Sequence, residues 1–182
     1  NFVKVVMGFA RWLSFLGVMV LVGAMLLATQ VTGVSRIGKI IYGSLIVAVF
    51  GSLLVQMMQA PYALGNSMGI VQLFSSVNEV LKTRLGTWLL VRVVALLFIS
   101  IIIYKRDLHQ KPIWRMAATI FVVVVFATFS ISGHPGMRQF SALSIGTDIV
   151  HFLSVAVWMG GLATIVLLGR KWIEVLDATA LR

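Results

Sequence analysis

Five apolar stretches, each close to the length that crosses a lipid bilayer, constrain this chain more than anything else in it. They run from about Phe9 to Ala28, Ile40 to Met58, Thr87 to Tyr104, Ile113 to Ile131 and Thr147 to Leu168. A spanning helix needs about 20 mostly apolar residues. No water inside a bilayer can satisfy backbone N–H and C=O groups, so continuous apolar runs of this length cross as helices. The expected fold is all-α: a polytopic transmembrane bundle of about five spanning helices. Composition agrees, with 60% hydrophobic residues, 11% charged and a mean hydropathy of +1.04. A soluble domain carries about a quarter of its residues as charges and could not keep so much apolar surface from water.

The connection Ala60–Leu85 is the longest. Pro61, Gly65, Asn66 and Gly69 are turn residues in it. Ile70, Val71, Leu73, Phe74, Val77, Val80 and Leu81 then recur at helical spacing among polar residues. That pattern predicts a short amphipathic helix, either lying in the membrane interface or packed on the bundle. The first apolar run ends without a small-residue cleavage site and is read as a span, not a signal peptide. The chain opens at Asn1 without an initiator Met and stops at Leu181-Arg182, so residues 1–182 are expected to be one transmembrane domain of a longer protein.

There is no cysteine, which excludes disulfides and thiolate ligands within this segment. A net charge of +10 would point to nucleic acid in a soluble protein. Here the basic residues cluster at the ends of apolar runs, where they anchor helices and set orientation. No nucleic-acid partner is expected; the partner is the lipid bilayer. With five spans, nine basic residues share one side: Arg36, Lys39, Lys105, Arg106, Lys111, Arg115, Arg170, Lys171 and Arg182. The other side has Lys4, Arg11, Lys82, Arg84 and Arg138. The nine-residue side is expected to be cytoplasmic, which puts the N-terminus and the Ser132–Gly146 loop outside.

Ionisable groups within spans are costly and usually have a reason. His109 lies in a basic loop and is expected to be solvated. His134 follows Ser132-Gly133 at the outer end of the fourth run, and His151 lies in the first turns of the fifth. Asp148 precedes His151 by three residues, on the same helix face. Two imidazoles and a carboxylate at one mouth of the bundle are a candidate metal site. Asp148 fits three roles: a ligand, an acceptor that orients a histidine ring, or an N-terminal cap complementing the helix dipole. Thioethers suit Cu(I). Of nine methionines, Met57, Met58 and Met68 lie on the same side as the histidines and are candidate ligands, Met57 and Met58 first; Met137 and Met159 have weaker claims. Met19, Met25 and Met116 read as packing and lipid contact. Arg92, inside the third run, either reaches outward to water or pairs with a carboxylate such as Asp148. Gly17, Gly23, Gly160 and Gly161 permit close helix approach. Trp158 lies one heptad beyond His151 and either floors the site or fills the core.

Ser132-Gly133-His134, Asp148-Ile149-Val150-His151 and Val157-Trp158-Met159-Gly160-Gly161-Leu162 resemble the CopD (PcoD) family of copper-resistance and copper-uptake membrane proteins, including its YcnJ-like fusions. Arg11-Trp12-Leu13 and Thr83-Arg84-Leu85-Gly86 add to the resemblance, which covers nearly the whole chain. Pro135 departs from it, standing where a small residue such as alanine is expected. No serine–histidine–acid set or paired catalytic carboxylates suggests an enzyme. The resemblance implies transport of copper, as Cu(I) or Cu(II), across the bacterial cytoplasmic membrane, usually as uptake. It also implies a CopC-type copper-binding domain or protein on the outer side. On this reading His134, His151 and Asp148 receive copper, with Met57 or Met58 assisting. Two alternatives stay open: a haem-binding electron-transfer bundle with His134 and His151 as axial ligands, and a copper sensor or structural subunit that transports nothing.

Overall fold

The structure, a computed structural model, describes residues 2–30, 35–64, 77–104, 111–132 and 141–169. Among these residues there is no strand, and five helices are long and apolar enough to cross a membrane. Helix α1 is Phe2–Gln30, α2 Ser35–Leu64, α3 Arg84–Tyr104 and α4 Pro112–Ile131. The fifth helix, α5, begins as Ser141–Val155, passes through a π-helical turn at Ala156–Gly160 and continues as Gly161–Leu168. Neighbours in sequence run antiparallel. One end of the bundle therefore holds the starts of α1, α3 and α5 and the ends of α2 and α4. It is called the site end below.

α1 is the central helix and packs on α2 and on the second half of α5. α3 packs on α4 and α2, and α4 on the first half of α5. The α1–α2 crossing is backbone against backbone. A Cβ added at Gly17 would meet the Ala48 nitrogen at 2.5 Å, and one at Gly51 would collide with Ser14. Ser14 and Ser52 share a hydrogen bond of 2.8 Å across the same contact. Small residues let van der Waals packing replace the hydrophobic drive that lipid removes. Away from the site end the core is apolar, built on Leu21, Leu45, Leu96, Ile99, Val125 and Phe126.

Several sequence expectations shift. The helices run past their apolar windows: α1 has 29 residues and α2 has 30. Pro61, read as a turn residue, is buried inside the last turn of α2. Residues 77–81 are helical, matching the second half of the expected amphipathic helix, and residues 65–76 lie outside the described residues. Exposed Glu79 and Lys82 pair there at 2.7 Å. At the opposite end Arg36, Lys39, Lys111 and Arg115 are exposed, and Arg36 donates to the Leu168 carbonyl at 3.5 Å. A cation at a helix C-terminus complements the helix dipole.

Candidate metal centre

The last turns of α4 carry three hydroxyls in five residues, and they face different tasks. Thr128 donates to the Val125 carbonyl at 2.6 Å, and Ser132 folds back onto the Thr128 carbonyl. Such back-bonding satisfies a hydroxyl inside an apolar helix. Ser130, 1% exposed, donates instead to Asp148 Oδ2 of α5 at 2.9 Å. That bond ties the first half of α5 to the site end of α4 and holds a half-buried carboxylate there.

Asp148 is not a helix cap. α5 starts at Ser141, so Asp148 lies in its third turn and the first turn carries no acidic residue. Nor does it bond His151 among the described residues; its partner is Ser130. His151, one turn further on, is exposed. It is not at the edge of the bundle: its neighbour Phe152 stacks on Phe126, five residues before the end of α4. Phe15, Phe126, Phe129 and Phe152 form an aromatic layer at this level, with ring centroids 5.2–6.5 Å apart. Trp158 takes no part in this layer: it is 71% exposed and fills no part of the core.

Arg92 takes neither of its two expected roles. It is 3% exposed, so it does not reach out to water, and it makes no ion pair with Asp148 among the described residues. Its Nε donates to Thr128 Oγ1 at 2.8 Å, and its guanidinium lies 3.5 Å from the centre of the Phe129 ring. A desolvated cation over an aromatic face gains about 2 kcal/mol. Neutral partners of this kind leave no charge pattern in a sequence. Ser and Thr at positions 128, 130 and 132 are the only visible trace.

The structure separates the remaining candidates. Met57 and Met58 are half-buried near the end of α2, and Met58 packs in an apolar cluster with Met7, Ala10, Val55 and Leu89. α2 has no substantial packing against the first half of α5, which carries Asp148 and His151. Met19 is in the core, Met25 packs against it and Met116 is 56% exposed, as expected. Met159 is 51% exposed. His134, with His109, Met68 and Met137, lies outside the described residues. Among the described residues no group of three His, Asp or Glu could hold a metal ion. A groove of about 230 Å³ between α3 and α4 is lined by Leu90, Val91, Val94, Ala95, Phe121 and Val124. It offers no metal ligand.

Residues 3–142 match the family model described as copper resistance protein D-like, N-terminal domain. The match contains Met57, Met58 and His134 and stops at the start of α5, before Asp148 and His151. No curated protein and no solved structure matches the chain.

Proposed function

We propose that this chain, which belongs to the copper resistance protein D-like family, carries copper inward across the cytoplasmic membrane from a site at the end where α4 meets α5. Family and fold together make it a copper-related, multi-pass membrane protein. The direction, the ligands and the membrane are the further step. What supports the site is the Ser130–Asp148 hydrogen bond of 2.9 Å. It anchors a carboxylate beside the end of α4, and His134 follows Ser132 by two residues. The covalent chain alone keeps their Cα atoms within about 7 Å. His151 follows Asp148 by one helical turn.

In this reading His134 and His151 supply imidazoles and Asp148 supplies charge, as a ligand or by fixing a histidine ring once copper is bound. Met57 or Met58 joins only if copper is handed towards α2, since α2 has no substantial packing against the first half of α5. Basic residues at the opposite end favour a cytoplasmic position for it. The site end then faces outward, towards a CopC-type donor. The test is copper analysis of the purified full-length protein, with Cu(I) and Cu(II) in turn. The double variant His134→Ala/His151→Ala is expected to lose the bound ion. Unchanged copper stoichiometry in a folded double variant removes the assignment. An intense Soret band from the unsubstituted protein would replace copper with haem.

A further inference from the structure

Gln56 is 8% exposed, deep in α2, and among the described residues neither its side-chain nitrogen nor its side-chain oxygen has a hydrogen-bond partner. Gln59, one turn nearer the site end, has an orphaned Oε1. Leaving such groups dry is costly, so native proteins rarely do it. Pro61 adds to the deficit: it lacks an N–H, so the Met57 carbonyl loses the donor that an uninterrupted helix supplies. These groups lie on consecutive turns of one helix. Below them stands Ser52, 0% exposed and bonded to Ser14.

We propose that the α1–α2 interface contains a water-filled crevice, open at the site end, that runs past Gln59 and Gln56 and closes at the Ser14–Ser52 pair. The ligand class follows from the orphaned atoms. A bare cation would satisfy only Gln56 Oε1, and an anion only its Nε2; water donates and accepts. A buried polar site takes such water when it offers two to four partners. The lower limit follows from the glycine crossing. Gly51 against Ser14 and Gly17 against Ala48 bring the two backbones into contact and leave no room for solvent. Ser52 lies twelve residues before the end of α2 at Leu64, about 18 Å along the helix. Water reaching that level thins the dry layer that any ion must cross. This crevice is separate from the Asp148 and His151 region and does not depend on copper.

The chain contains no cysteine, so introduced thiols report their own surroundings. Gln59→Cys, Gln56→Cys and Ser52→Cys are each treated with a charged, water-soluble thiol reagent in membrane vesicles permeabilised to expose both faces. Leu53→Cys, on the outer surface of α2, and Leu45→Cys, in the core below the crossing, are the controls. Gln56→Cys is expected to react at least tenfold faster than either control, with Gln59→Cys faster still and Ser52→Cys slower than Gln56→Cys but above Leu45→Cys. Gln56→Cys reacting no faster than Leu53→Cys overturns the crevice. If that variant does not accumulate, Ser52→Cys decides: a rate equal to that of Leu45→Cys is the overturning result. Copper binding is not read, so failure here leaves the proposed copper site untouched, and the converse holds.

Discussion

The α1–α2 pair and α5 solve the same packing problem differently. α1 and α2 close through glycines along their middle, and half of the most apolar window of α1 is buried within the protein. Only 17% of the corresponding window of α5 is buried. α5 packs on α1 at its π turn, where Gly160 meets Met19 and Gly23, and through its second half, while its first half leans on α4 through Ser130 and on the aromatic layer. The pair is scaffold. The helix that carries Asp148 and His151 is held at few points. Elements that bind and release ligands come from the less stable part of a structure, and π turns recur beside functional sites.

The contrast is most easily broken at the point where the two regions meet. A Cβ at Gly23 would collide with the Gly160 carbonyl carbon, and both partners are backbone. Gly23→Val is expected to cost about 3 kcal/mol, the upper part of the range for overpacking, and to free α5 from α1. Gly8→Val is the control, because nothing lies within 4 Å of a Cβ there. Thermal unfolding and protease sensitivity of α5 separate the two. Equal behaviour would mean that the π turn does not hold α5.

A smaller loss is expected within the scaffold. Ser14→Ala removes the bond to Ser52, while the Ser52 hydroxyl keeps the Ala48 carbonyl at 2.8 Å. No buried donor is stranded, so the cost is that of one bond, about 0.6 kcal/mol for such contacts in membranes. A melting temperature as low as that of Gly17→Val, which sets a Cβ 2.5 Å from the Ala48 nitrogen, would mean that hydroxyls, not glycines, close the α1–α2 crossing.

The two regions were also unequally legible in the sequence. The number of spans could be read because bilayer thickness sets the length of each run, and the glycines of α1 could be read as packing residues because few other roles fit them. Helix ends could not. Pro61 looked like a turn, yet α2 carries it in its last turn. A cap is one of the three roles the sequence leaves open to Asp148, because the apolar window opens at Thr147. The helix in fact starts at Ser141, and the carboxylate turns to Ser130. The partners of Arg92 and the orphaned amide of Gln56 depend on which neutral side chains face each other across helices. Composition carries no record of that. The π turn adds one residue to one turn and leaves only Gly160-Gly161 as a mark.

The finest test of the contrast lies at Asp148 and His151, where stability and copper affinity are expected to part. Ser130→Ala strands a half-buried carboxylate and is expected to cost about 1 kcal/mol, the low end for an unmet group, because Asp148 keeps some contact with solvent. Asp148→Asn keeps an acceptor for Ser130 but removes the charge, so unfolding should change little while copper affinity falls about 10- to 100-fold, the usual scale for residues that support a metal ligand. His151→Ala should alter stability least, by no more than about 0.5 kcal/mol, since its side chain is exposed and makes no hydrogen bond among the described residues. An ionisable side chain some three turns into a membrane helix is costly without a purpose, and the proposed copper site supplies one. If His151→Ala instead unfolds the chain as Gly23→Val does, the histidine belongs to the scaffold, and the division between a packed pair and a less buried helix proposed to bind copper fails at the residue on which it most depends.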